Sequence, residues 1–323
     1  MRNNVLLISG LAVAAAGVIV VASLCGSSGC FILSSSTDYL FQLRLPRSLS
    51  AFAVGASLSL AGALMQLLLR NPLADPYVLG VSGGAAAGAL GLTWFIPASL
   101  MTYGLHVGSL GGALLATVLL FGLANPELIS RHQRLTDTHP NLRLILTGVM
   151  IAAGSGALIT LLLTLSDDAS LRGVLFWLMG DLDSSEVIWP VWFTLAIAMV
   201  WSIRNAGALN VLSHGELTAF LLGVPTRQLR TRTLLVAAIT TATAVSLAGS
   251  IGFVGLVVPH AMRLLIGNDQ RSLLPVSALV GGAALCLADL IARIIVAPVQ
   301  LPVGVVTSLV GVPVFLFLLT RSR

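Results

Sequence analysis

SLSAFAVGASLSLAGALMQLLL, residues 48–69, runs for 22 residues without a charge, and its length decides the class of fold. A helix rises about 1.5 Å per residue and a hydrocarbon core is about 30 Å thick, so about 20 apolar residues cross it. Arg44 and Arg47 precede the run and Arg70 closes it. The whole chain is 57% hydrophobic and 9% charged, against roughly 25% charged in an average soluble domain. That leaves too little polar surface to cover a water-soluble globule of 323 residues. The apolar runs are continuous and rich in Ala, Gly and Leu rather than alternating, so helices and not barrel strands are the spanning elements. The fold class is all-α integral membrane, with residues 1–323 forming one polytopic domain.

Ten apolar segments are expected, at roughly 5–25, 48–69, 79–97, 103–123, 143–165, 187–203, 233–249, 251–262, 273–294 and 303–320. The first is longer than the roughly 7–15 residues of a signal-peptide core, so it reads as a membrane helix. The third is rich in glycine and the eighth is short and contains Pro259. Broken or partial helices are expected there, with breaks at Pro72, Pro76, Gly80 and Pro259. All 17 basic residues are arginines. With both termini in the cytoplasm, Arg44, Arg47, Arg172 and Arg293 fall outside and the other 13 inside, the asymmetry that sets topology. "SLAG" occurs at 59–62 and again at 246–249. The copies lie on helices of opposite direction, which points to an inverted repeat with halves at roughly 44–165 and 229–321.

Arg44, Arg47 and Arg293 stand on the arginine-poor side. Each reads alone as a snorkelling residue at a helix end, and the three together as a shared device. The spans hold almost no ionisable group, whereas proton- or sodium-driven carriers keep charge in the bilayer, so energy is expected to come from a partner. Asp289, four residues before Arg293, reads as an i,i+4 pair that orients the arginine. The loop LSHGELTAFLLGVPTRQLRTR, 212–232, presents Leu217, Phe220, Leu221 and Leu222 as an apolar face. That face suits a protein interface or a helix lying on lipid. Cys25 and Cys30 form a C-x4-C pair without further Cys or His partners, poor material for a metal site. They read as structural, or as a disulfide if that end is extracytoplasmic, and no metal is expected. An enzyme reading exists in GVSG, 80–83, which matches the G-x-S-G of rhomboid-type intramembrane proteases with Ser82 as nucleophile and His260 as base. A secondary transporter or channel working alone is the other alternative.

Several long strings resemble one family. They are RLPRSLSAFAVGASLSLAGALMQLLLRNPLADPYVLGVSGGA (44–85), FWLMGDL (176–182), LSHGELTAFLLGVP (212–225), GSIGFVGLVVPHAMRLLIGNDQRSLLP (249–275), LADLIAR (287–293) and LPVGVVTSLVGVPVF (301–315). In this order they are similar to the permease subunits of ATP-binding cassette importers for iron chelates, haem and cobalamin. The resemblance implies a type II importer fold of about ten helices in the bacterial inner membrane, working as a homodimer. It implies two ATPase subunits, a periplasmic substrate-binding protein and a metal-chelate substrate, with no nucleic-acid partner beside the surrounding lipid. It further implies that Arg44, Arg47 and Arg293 pair with glutamates of the binding protein. Gly215, Glu216, Ala219, Leu222 and Gly223 would belong to the segment seated on the ATPase, and Asn141 and Leu142 to the cytoplasmic gate. No catalytic residue and no cofactor is expected in this chain. ATP and magnesium would bind the partner, since G-x-x-x-x-G-K-[ST] is missing from the sequence. Gln300 stands where the family usually has Glu, Ser250 replaces a common Pro, and Asp181 with Asp183 make GDLDSSE unusually acidic. None of these departures is expected to touch the three arginines.

Overall fold

A computed structural model describes residues 2–27, 29–30, 38–97, 100–124, 140–166, 168–182 and 188–321. Helix α1 (Arg2–Leu24) leads into a hairpin of β1 (Cys25–Gly26) and β2 (Gly29–Cys30), paired antiparallel. There follow α2 (Asp38–Leu69), a 3-10 turn (Pro76–Leu79), α3 (Val81–Thr93), α4 (Met101–Ala124) and α5 (Pro140–Thr164). The remainder is α6 (Asp168–Leu178), α7 (Trp189–Ser213), α8 (Glu216–Leu221), α9 (Thr226–Ala248), α10 (Val254–Ile266), α11 (Gln270–Ile294) and α12 (Val303–Arg321). Among the described residues seven helices are long and apolar enough to cross a membrane, and three shorter apolar helices accompany them. Each of the ten expected segments has its helix. Two short helices, α6 and α8, were not among them.

The centre of the molecule is α2, buried along its membrane-spanning length and packed on α1, α7, α9, α10 and α11. Lipid tails are as apolar as leucine, so helices in a membrane are held together by close packing at small residues and by hydrogen bonds. Gly62 of α2 lies so near α10 that a methyl group there would overlap the carbonyl of Gly255, and Gly55 meets Gly281 of α11 in the same way. Gly84 and Gly88 of α3 interlock with Gly108 and Gly112 of α4. The outer surfaces of α1 and α5 are largely exposed and apolar, as lipid or a partner subunit would require.

Two stretches interrupt the helices. The first leaves α2 through Arg70 (φ 48°), passes Pro72 and Pro76, and enters α3 through Gly80 (φ 74°). The second lies at 249–253, between Gly249 (φ 67°) and Phe253 (φ 70°). Pro259 is not a break, contrary to expectation: it sits inside an unbroken α10. A proline withholds the N–H that the carbonyl four residues back would accept, here that of Gly255. That carbonyl is the one α2 approaches through Gly62, and the neighbouring Leu256 O accepts Gln66 Nε2 at 3.0 Å. Packing against α2 thus takes the place of the missing helical bond. The two breaks meet at Tyr77, whose hydroxyl donates to Ile251 O (2.8 Å) and accepts from Ile251 N (2.9 Å). The first SLAG lies within α2 and the second ends at the C-cap of α9, so the two copies do not occupy corresponding places in their helices. What does recur is the order of a long helix, a break with positive-φ residues, and a helix of 13 residues.

Where α10 turns into α11, Asp269 caps α11. Its Oδ1 accepts Arg271 N (3.1 Å) and Asn210 Nδ2 (2.7 Å), and Asn210 Oδ1 receives Gln270 N (2.8 Å). The hydrogen bond from Asn210 first, and that from the Arg271 amide second, hold the exposed carboxyl below its usual range. A group depressed in the folded state stabilises above its unfolded pKa, and that contribution disappears as pH falls through the folded value. Asp269→Ala should therefore cost about 1 kcal/mol at neutral pH, the usual loss of a helix cap. Melting temperatures in detergent from pH 7 down to 3 should show the difference from the parent shrinking with acidity; a gap that widens would be the wrong sign.

Candidate functional site

The last carbonyls of α1 have no partner within the helix and need donors from elsewhere. Two arginines of other helices supply them. Arg293, near the end of α11, donates from Nη2 to Ala22 O (3.0 Å) and from Nη1 to Cys25 O (3.2 Å). Arg44 of α2 donates from Nη1 to Leu24 O (3.1 Å) and more loosely to Gly29 O (3.4 Å). Positive charge at a helix C-terminus is also favoured by the helix dipole. Between Arg293 and Arg47 lies Asp289, fully buried, whose Oδ1 accepts Arg47 Nε at 3.0 Å and whose Oδ2 stands 3.0 Å from Arg293 Nε. Arg293 Nε is turned more toward the Asp289 carbonyl, at 3.4 Å. Arg47 also donates from Nη1 to Gln300 Oε1 at 2.8 Å.

This geometry brings Arg44, Arg47 and Arg293 together and corrects several expectations. Arg47 and Arg293 are not surface charges: they are 9% and 3% exposed, because a carboxylate inside the subunit already holds them. Asp289 serves two arginines rather than one. Gln300 does touch one of the matched arginines, Arg47. Cys25 and Cys30 are joined in a disulfide that closes the hairpin, whereas Cys286 is free and buried. Arg44 is the part-exposed member of the cluster.

At the opposite end, α8 stands between α7 and α9. Gly215 precedes it with φ 134° and ψ 146°, and Gly223 follows with φ 78°. Glu216 pairs with Arg230 of α9, and the Arg70 guanidinium packs against Gly215, so the end of α2 and the start of α9 both brace the segment. Leu217, Phe220, Leu221 and Leu222 all point outward, between 66% and 75% exposed. Ala219 is completely buried, so its side chain cannot form part of a contact surface; it is the inward face on which the exposed one rests. Asn141 and Leu142 fall in the first turn of α5, and their side chains lie outside the described residues, as does Asp183.

His260 is buried with neither ring nitrogen hydrogen-bonded among the described residues. Ser82 and His260 are therefore not hydrogen-bonded to each other. Ser250 and Asp181 lie instead at a junction where the end of α6 meets the second break: Asp181 N donates to Ala248 O at 3.0 Å, and side chains added at Gly249 or Gly304 would run into the carbonyls of Trp177 or Met179. Gln300 and Tyr77 were the contributors that reading along the chain could not assign, since their partners are more than 170 residues away.

The model of the FecCD transport family matches residues 5–321. The chain is similar to the vitamin B12 import system permease BtuC of Vibrio cholerae, 41% identical over 90% of this chain and 85% of that one. It is also similar to the hemin transport system permease HmuU of Yersinia pestis, 42% identical over 87% of this chain and 83% of the relative. A solved inward-facing structure of a metal-chelate type ABC transporter superposes with a TM-score of 0.84 at 30% identity, covering 98% of this chain and 99% of that one.

Proposed function

Because the chain belongs to the FecCD transport family, we propose that it is the permease subunit of an importer that carries a bulky metal chelate across the bacterial inner membrane. Two copies form the path. Two ATPase subunits bind ATP and magnesium and drive it from the cytoplasm, and a periplasmic binding protein delivers the ligand. The observation that carries this reading is α8: four large apolar side chains exposed on a short helix, braced from behind by the Glu216–Arg230 pair and by Arg70. An exposed apolar patch of this kind suits a protein groove, and the scarcity of ionisable residues in the spans leaves little means of using an ion gradient. Gly215, Glu216, Leu222 and Gly223 set the position of that face. ATP-driven movement of α8 reshapes the dimer interface, and the ligand passes inward by the gate at Asn141 and Leu142.

On the outer side, Arg44 acts at the surface, and Arg47 and Arg293 act from just beneath it as a source of positive potential. Such charge steers and orients an acidic partner more than it adds affinity. The disulfide supports placing the 25–30 hairpin outside the cytoplasm, and with it the N-terminus inside. The named transport substrates of the relatives, vitamin B12 and hemin, put cobalamin and haem beside ferric siderophores as candidate ligands.

Cells lacking the gene should regain accumulation of one labelled chelate from a panel of ferric siderophores, haem and cobalamin when it is restored with its partner genes. Phe220→Asp should abolish that accumulation and the co-purification of the ATPase while the permease remains folded. Uptake undiminished by Phe220→Asp, or transport by vesicles holding the permease alone without ATP, would overturn the proposal.

A further inference from the structure

We infer that the disulfide-closed loop Cys25–Cys30 is the positioning element of the outer face, holding the part-exposed Arg44 where an acidic docking protein meets it and the buried Arg293 just beneath. The inference rests on the importer reading for its partner, but its geometry stands independently. Each guanidinium reaches one carbonyl of the loop, Cys25 for Arg293 at 3.2 Å and Gly29 for Arg44 at 3.4 Å, beside one of the last carbonyls of α1, Ala22 and Leu24 respectively. The loop is also shaped around Arg44. A Cβ at Gly26 would sit 2.9 Å from Arg44 Cζ and Nε, so a side chain there would push the guanidinium out of its place against the loop. The antiparallel register pairs Cys25 with Cys30 and Gly26 with Gly29, and a two-stranded hairpin this short has too few hydrogen bonds to persist in water unaided. The covalent link keeps the Gly29 carbonyl facing Arg44 and the Cys25 carbonyl facing Arg293.

A long arginine side chain loses conformational freedom when it docks. A loop that fixes two guanidiniums in advance spares a partner that ordering cost, which is what pre-organisation means in binding. The loop is therefore a positioning element: it touches neither the ligand nor the ATPase, and its effect should fall on the concentration of binding protein needed and not on the maximal rate.

The test uses the intact permease, in a Cys286→Ala background so that only the pair responds to thiol chemistry. Dithiothreitol supplies two electrons and two protons, breaks the S–S bond into two thiols, and is itself oxidised to its cyclic disulfide. The first arm needs no partner: a membrane-impermeant arginine-selective glyoxal, read by mass spectrometry, should modify Arg44 about tenfold faster after reduction, as expected when roughly one hydrogen bond to a charged group stops protecting it. Reoxidation should restore the slow rate, and Cys25→Ser with Cys30→Ser should keep the fast one. In the second arm, with the ATPase and binding protein reconstituted, reduction should raise the half-saturating concentration of binding protein several-fold at an unchanged maximal rate. Equal modification rates in both redox states would overturn the inference. So would faster modification with an unchanged half-saturation, since the loop would then hold the arginines without serving docking. If transport by the parent protein shows no dependence on any binding protein, the importer reading fails, the docking role of the loop fails with it, and the first arm still decides whether the loop holds the arginines.

Discussion

Gly62→Leu should leave almost no folded, monodisperse protein in detergent. The α-carbon of Gly62 faces the Gly255 carbonyl so closely that even a methyl group would overlap it, and the oxygen cannot swing aside because it belongs to the backbone of α10. Forcing extra atoms into a packed core costs about 1–3 kcal/mol where neighbours can shift. Here two helix backbones must separate, so the loss should exceed that range. The contact also faces the carbonyl left unbonded by Pro259, so separation would strip it of its neighbour and pull Leu256 O from Gln66. Gly17→Leu on α1, where nothing lies within 4 Å, is the control and should behave as the parent. Size-exclusion profiles and thermal melts of the two variants check this; a stable, monodisperse Gly62→Leu protein would show that α2 and α10 do not approach as described.

Asp289→Ala should be nearly as damaging, for an electrostatic reason. Asp289 accepts from Arg47 and stands against Arg293 with no exposure of its own. Removing one partner of a buried pair costs about 3–5 kcal/mol because the other charge is left behind. Two arginines share this carboxylate, so the upper part of the range is expected. Combining Asp289→Ala with Arg293→Gln should cost less than the sum of the single changes, since the double variant removes a stranded charge together with its lost partner. Thermal melts of the singles and the double form the cycle, and strict additivity would mean that the pair is not coupled.

The spanning helices were legible because length and lack of charge act locally, and residues 48–69 announce α2 without any knowledge of its neighbours. Pro259 misled because the rule that proline ends a helix counts only bonds within that helix; the compensating contact comes from Gly62, far away in the chain. The Asp289–Arg293 pair was readable from its i,i+4 spacing, but Arg47 is separated from Asp289 by 242 positions and nothing local ties them. The string around α8 marked the right segment, and its apolar residues do face outward. Ala219 lies in that segment but turns inward, because a helix of six residues packs one side against the protein, and which residue takes that side depends on contacts with α7 and α9.

The Tyr77 hydroxyl bears on the order of events during synthesis. It is joined to both the N–H and the carbonyl of Ile251, 174 residues later in the chain. When α1 to α3 first enter the bilayer, the ribosome has not yet made that partner, and a phenol with two hydrogen-bonding needs sits in a half-finished bundle. The second break is in the same position until Tyr77 receives it. Neither half can therefore complete its interior alone, and two irregular segments made far apart in time are joined across a single oxygen atom.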